Sequence, residues 1–150
     1  MSISVPAVTE LAIVGIDRPG VANEERILIR PTQAVNLGEF ILVLGYQSGE
    51  TSVIPALDQM FWFGEVYVEP PSWVIVHTGP GRNQETVWQQ TGERLRVFYW
   101  GKSFTQFHVP GLMPVLMRIG AIAVGKPVVP RLRQQAVPLP AWARPQPDGQ

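Results

Sequence analysis

Prolines and glycines cut this 150-residue chain at short intervals, fifteen of the first and fourteen of the second. Proline removes a backbone donor and clashes with the preceding helical turn, and glycine inside a helix is entropically unfavourable. Little room is left for a long helix. The runs between the breaks are short and rich in Val, Ile, Phe, Tyr and Trp, which suit a pleated, half-buried surface. Strands are expected over residues 11–16, 26–30, 40–46, 61–68, 73–77 and 95–100, with one bent strand or two across 112–124. Ile27 and Ile29 alternate with Arg26, Leu28 and Arg30, so one face of that strand belongs to a core. The segments 40–44 and 73–76 are apolar at every position, which predicts strands covered on both faces. One helical turn is expected around residues 55–60, with Pro55 at its first position and Leu57 and Met60 on one side.

Parallel sheets need crossover connections of a dozen or more residues, usually helical. No amphipathic helical window is present to supply them. The expectation is therefore an all-β domain, a two-sheet sandwich or small barrel, over residues 1–126. Residues 127–150 differ in kind. Pro127, Pro130, Pro138, Pro140, Pro145 and Pro147 favour an extended polyproline conformation. Val128, Val129, Leu132, Val137, Leu139 and Trp142 make this proline-rich tail too apolar for an inert linker. It is expected to dock on the domain or on a neighbouring copy.

The chain has no cysteine, which excludes disulfides, thiol nucleophiles and cysteine-ligated zinc. Twelve basic residues balance twelve acidic ones, so bulk charge does not call for nucleic acid or an anionic membrane. The start lacks a basic stretch followed by an apolar core, and no apolar run is long enough to span a bilayer. A soluble, cytoplasmic protein, or a component of an assembly built in the cytoplasm, is the expectation.

Chemistry-bearing motifs are scarce. His77 ends an apolar strand and His108 precedes Pro110; with two histidines and no HExxH pattern, both are expected to be structural and no metal is implied. No serine lies in a GxSxG elbow, and no carboxylate pair stands in a recognisable catalytic frame. No catalytic residue and no cofactor are assigned; a hydrolase whose residues meet only in the fold stays as a further alternative. The loop of residues 78–83 offers Thr78, Gly79, Gly81 and Arg82 as a candidate anion nest, against the plainer reading of a tight turn. A small ligand- or nucleic-acid-binding module using that loop is the first alternative function. Phe61-Trp62-Phe63 and Phe98-Tyr99-Trp100 are core material, but three consecutive aromatics on a strand place some outward. Trp62 and Trp100, with Arg131, Arg133 and Trp142 of the tail, are the candidate partner-binding residues. Single-stranded nucleic acid ranks behind a protein partner or self-association.

The order of features over residues 25–127 also resembles a known family. A strand at 26–30 is followed by Val35-Asn36-Leu37-Gly38-Glu39-Phe40 and a second strand. The aromatic Phe61-Trp62-Phe63-Gly64 comes next. Pro70-Pro71 then enters a strand ending in Thr78-Gly79-Pro80-Gly81, and Tyr99-Trp100-Gly101 closes a later one. This resembles a lamin-tail-type (LTD) domain, although Phe107-His108-Val109-Pro110-Gly111 stands where members usually carry Asn-Asn-x-Gly-Asp. The resemblance implies an immunoglobulin-like two-sheet β-sandwich, and a binding or scaffold role rather than catalysis. The favoured reading is a non-enzymatic structural or protein-interaction module, a subunit of a larger assembly.

Overall fold

The computed structural model describes residues 6–48, 53–128, 140 and 142. Its strands, in chain order among the described residues, are β1 (Leu11–Asp17), β2 (Arg26–Pro31), β3 (Val35–Asn36), β4 (Phe40–Gln47), β5 (Val53–Trp62), β6 (Tyr67–Val68), β7 (Ser72–His77), β8 (Gln84–Val87), β9 (Arg94–Tyr99) and β10 (Leu112–Arg118). A single 3-10 turn, Leu37–Glu39, joins β3 to β4. The protein is mostly β, as its proline and glycine spacing predicts. Among the described residues no helix is long and apolar enough to cross a membrane.

Five strands form one sheet in the order β1-β2-β7-β9-β8, and three form a second in the order β10-β4-β5. The two-residue strands β3 and β6 pair separately. Strand alternation turns both larger sheets toward one core. Ile27 and Ile29 of β2, Val74 and Val76 of β7, and Phe98 of β9 come from the first sheet; Phe40 and Leu42 of β4 come from the second. Leu37 and Phe63 fill the same core from the connections. Each such aliphatic or aromatic side chain, once buried, contributes roughly 1.5–3 kcal/mol.

Besides the added strand β8, and a strand expected across residues 112–124 that ends at Arg118, three features depart from the expectations. Residues 55–60 do not form a helical turn; they lie within β5, an edge strand of the three-stranded sheet. An edge tolerates proline because one row of its amides needs no partner. The register of β5 also jumps between the partners of Val43 and Gly45, so the extra residues around Pro55 are absorbed as an irregularity. The expected strand 61–68 is two strands, β5 ending at Trp62 and β6 beginning at Tyr67, with Gly64 turning between them at a φ of +77°. Finally, β7 and β9 run parallel without a crossover helix. The connection between them carries β8, which lies on the far edge of β9, so β9 inserts between β7 and β8.

The chain divides into two units, Met1–Gly120, which holds all ten strands, and Ala121–Gln150. The second unit is described at residues 121–128, 140 and 142, where no strand is formed. Ile122, Val124, Val128 and Trp142 are exposed there. Arg131 and Arg133, expected to bind a partner, lie outside the described residues.

Candidate protein-interaction surface

In the three-stranded sheet, β4 sends Phe40, Leu42 and Leu44 inward and Ile41, Val43 and Gly45 outward. Directly paired residues share a face. Ile41 pairs with Trp62 on one side and Met117 on the other. Val43 pairs in the same way with Met60 and Val115, and Gly45 with Met113. The outward face is therefore an apolar lattice three strands wide. Met60 is 62% exposed, Trp62 57% and Met117 48%, while Ile41, Val115 and Met113 are half-buried. Val43 lies buried at the centre.

Trp62 is held in place on this face. Its indole Nε1 donates to the Gly38 carbonyl at 2.9 Å. Gly38 is fixed in turn by its own amide, which donates to Asn36 Oδ1 at 2.9 Å, capping the 3-10 turn. A side chain at Gly38 would crowd Asn36 Oδ1 and the Gly64 carbonyl, both 3.1 Å from the position of an added Cβ. The run Asn36-Leu37-Gly38-Glu39 thus serves as a bracket for an exposed indole whose polar edge is satisfied. An aromatic pre-positioned in this way loses little entropy when a partner covers it.

The other expected partner-binding residues are placed elsewhere. Phe61 and Phe63 turn inward and stack edge-on at 5.2 Å between ring centroids. Trp100 packs against Phe61 at 5.6 Å, with Lys102 Nζ 5.0 Å from the centre of its own ring. Trp100 is thus core-facing and Trp62 outward. Trp142 belongs to the second unit and is exposed.

The loop of residues 78–83 is tied down by its own chain. The Thr78 hydroxyl donates to Glu25 Oε1 at 2.7 Å, and both residues are buried. Lys102 N and Gly101 N donate to the carbonyls of Thr78 and Gly79. Neither Gly79 nor Gly81 has the left-handed backbone that a nest alternates with, and Gly81 lies close against the Tyr99 ring. Arg82 is exposed. Gly79 and Pro80 border a cleft of about 580 Å³ together with Asn23, Ser103 and His108.

Two features gave no signal in the sequence. Glu25 is 1% exposed yet receives four donors: Gly20 N at 2.7 Å, Gln106 N at 2.7 Å, Phe107 N at 3.0 Å and the Thr78 hydroxyl. Burial alone would raise its carboxyl pKa; the donors outweigh it and hold the group below the usual range. The second is a trough of about 860 Å³ lined by Glu39, Glu85, Arg94, Arg96 and the Glu10–Arg118 ion pair. Glu85 is also paired, with Arg96 at 3.1 Å. Across the outer face of the five-stranded sheet a polar row runs Asp17, Arg26, His77, Tyr99. Asp17 accepts from Arg26 at 2.7 Å, and His77 stacks on Tyr99 with 4.7 Å between centroids. Burial first, and the Arg26 charge second, push the His77 imidazole below its usual range. Among the described residues no three His, Asp or Glu side chains converge on a metal position.

Comparison with known proteins finds no matching family model, no matching curated protein and no matching solved structure.

Proposed function

We propose that this chain is a non-enzymatic protein-interaction module. In this reading it is an immunoglobulin-like sandwich of the lamin-tail type, working in the cytoplasm as a subunit of a larger assembly. It holds its partner on the outer face of the β10-β4-β5 sheet. The observation that carries the reading is the lattice of Met60, Trp62, Ile41, Met117 and Val115, apolar without a break across three strands and exposed at its rim. Contiguous apolar surface of this kind marks contact sites, and methionine and tryptophan are enriched in them. Methionine also adapts its shape to a partner.

The test is a photo-crosslinking amino acid placed at position 60 of the full chain, expressed in cells of its source organism. A control is placed at Thr86, an exposed position on β8 of the other sheet. Protein adducts from position 60 and none from position 86 are the expected outcome. Equal adducts, or none, overturn the reading.

A further inference from the structure

We propose that the partner on this face is a second copy of the chain, whose C-terminal unit, from Ala121 onward, lies across the β10-β4-β5 sheet in a reciprocal arm exchange. The proposal rests on the reading of that face as an interaction surface and adds the identity of its occupant.

Three observations converge. The first is apolar surplus on both sides. In the single chain Ile122 is 79% exposed, Val124 82%, Val128 75% and Trp142 87%. An arm with four large apolar groups in water and a sheet face with a rim of Met60, Trp62 and Met117 in water are each unfavourable alone. A neighbouring chain can cover both surpluses at once.

The second is charge. Residues 1–120 hold eight basic and eleven acidic residues, a net of −3. Residues 121–150 hold four basic residues, Lys126, Arg131, Arg133 and Arg144, against Asp148, a net of +3. The neutral whole is thus a negative body with a positive arm, and the arm of one copy is attracted to the body of the next.

The third is reach and stiffness. Six of the chain's fifteen prolines fall within residues 127–147. Proline-rich chain extends by roughly 3.1 Å per residue, so the thirty-residue arm can span tens of ångströms. Proline also narrows the conformations open to an undocked chain, which reduces the entropy lost on docking. Two copies exchanging arms about a two-fold axis form a closed dimer in which each face is covered once.

The experiment is sedimentation or light scattering on the full chain from micromolar to hundreds of micromolar, alone and as two variants. The face variant is Met60→Glu with Trp62→Glu. The arm variant is Ile122→Ser, Val124→Ser and Trp142→Ser. The native chain is expected to be a dimer that weakens as salt rises. Each variant is expected to raise the dissociation constant by about 100-fold. Mixing the two variants restores a mixed dimer, because one intact arm still meets one intact face. A synthetic peptide of residues 121–150 binds the arm variant, a measurement that does not depend on the face variant folding.

A monomer throughout the range overturns the proposal. So does a dimer that survives the arm variant, which would be a face-to-face pairing, or a mixture that stays monomeric. If the chain is monomeric while position 60 crosslinks to a different protein, the interaction reading stands and the exchange of arms falls. If position 60 also gives no adduct, both fall.

Discussion

The Glu25 carboxylate and the Thr78 hydroxyl, 53 residues apart in the chain, meet at 2.7 Å with both side chains buried. The same carboxylate takes the amides of Gly20, Gln106 and Phe107, so one side chain fastens three separate connections. Thr78 N also donates to the Glu25 carbonyl, which closes the junction on the backbone side. A buried charge is tolerated where every lone pair direction is met by a donor.

Glu25→Gln is therefore expected to destabilise the fold although its shape is conserved. An amide nitrogen facing Gly20 and Phe107 meets two backbone donors; facing Gln106 and Thr78 it meets one, since the hydroxyl can turn to accept, and in either orientation the charge that the remaining donors served is lost. Bonds to charged groups contribute about 1.5–3 kcal/mol each. A loss of about 3 kcal/mol in denaturant-induced unfolding is the expected result, with Thr78→Val losing about 1–2 kcal/mol. Unchanged midpoints for both would show that the junction contributes nothing.

Two separate pH windows follow from the shifted groups. His77 has a depressed pKa in the fold and about 6.5 unfolded. Below that value the unfolded chain binds the proton more readily, so stability is complete above pH ~6.5 and declines as pH falls through it. Glu25 is also depressed, against about 4.3 unfolded, so its contribution is present above pH ~4.3 and is lost at lower pH. Melting temperature measured from pH 8 to pH 3 should fall in two steps. His77→Phe, which keeps a ring over Tyr99, should remove the step near neutrality and leave the acid one. A profile identical to the native one would contradict the assignment.

How much of this was legible in the sequence depends on the range of the interaction. The alternation of Ile27 and Ile29 was legible, because a period of two is written locally and burial obeys it. The outward placement of Trp62 between Phe61 and Phe63 was legible for the same reason; the bond that fixes its indole to the Gly38 carbonyl, 24 residues away, was not. Pro55 reads as a helix start only if its strand is assumed interior; as an edge it is unremarkable. β8 carries four exposed residues with no apolar period, so nothing marked it until β9 was seen beside it. Glu25 gave no signal, since three of its four donors are backbone amides and any sequence supplies those.

Gly81 packs against the face of Tyr99, and a Cβ there would overlap the ring. Gly81→Ala must move either the loop or the ring, and the ring is already held between the loop and His77. The expected loss is about 1–3 kcal/mol, the usual effect of overpacking. Because Tyr99 would tilt, the His77 titration should also move, as read from its ring resonances against pH. A stable variant with an unmoved titration would show that Gly81 is a turn residue and nothing more.

Trp62 separates folding from association. It is 57% exposed and its one polar bond runs to the Gly38 carbonyl, at the surface. Removing an exposed side chain outside the core changes stability little, so Trp62→Ala should unfold within about 1 kcal/mol of the native chain. A tryptophan of an apolar patch that a partner covers contributes about 2 kcal/mol to binding, or about 30-fold in dissociation constant. Trp62→Phe keeps part of the apolar contact but loses the Nε1 bond that orients the ring, and should fall between the two. Calorimetry and sedimentation on the same three proteins read both quantities. Parallel losses in the two would place Trp62 among the core residues; an association deficit alone places it at the contact.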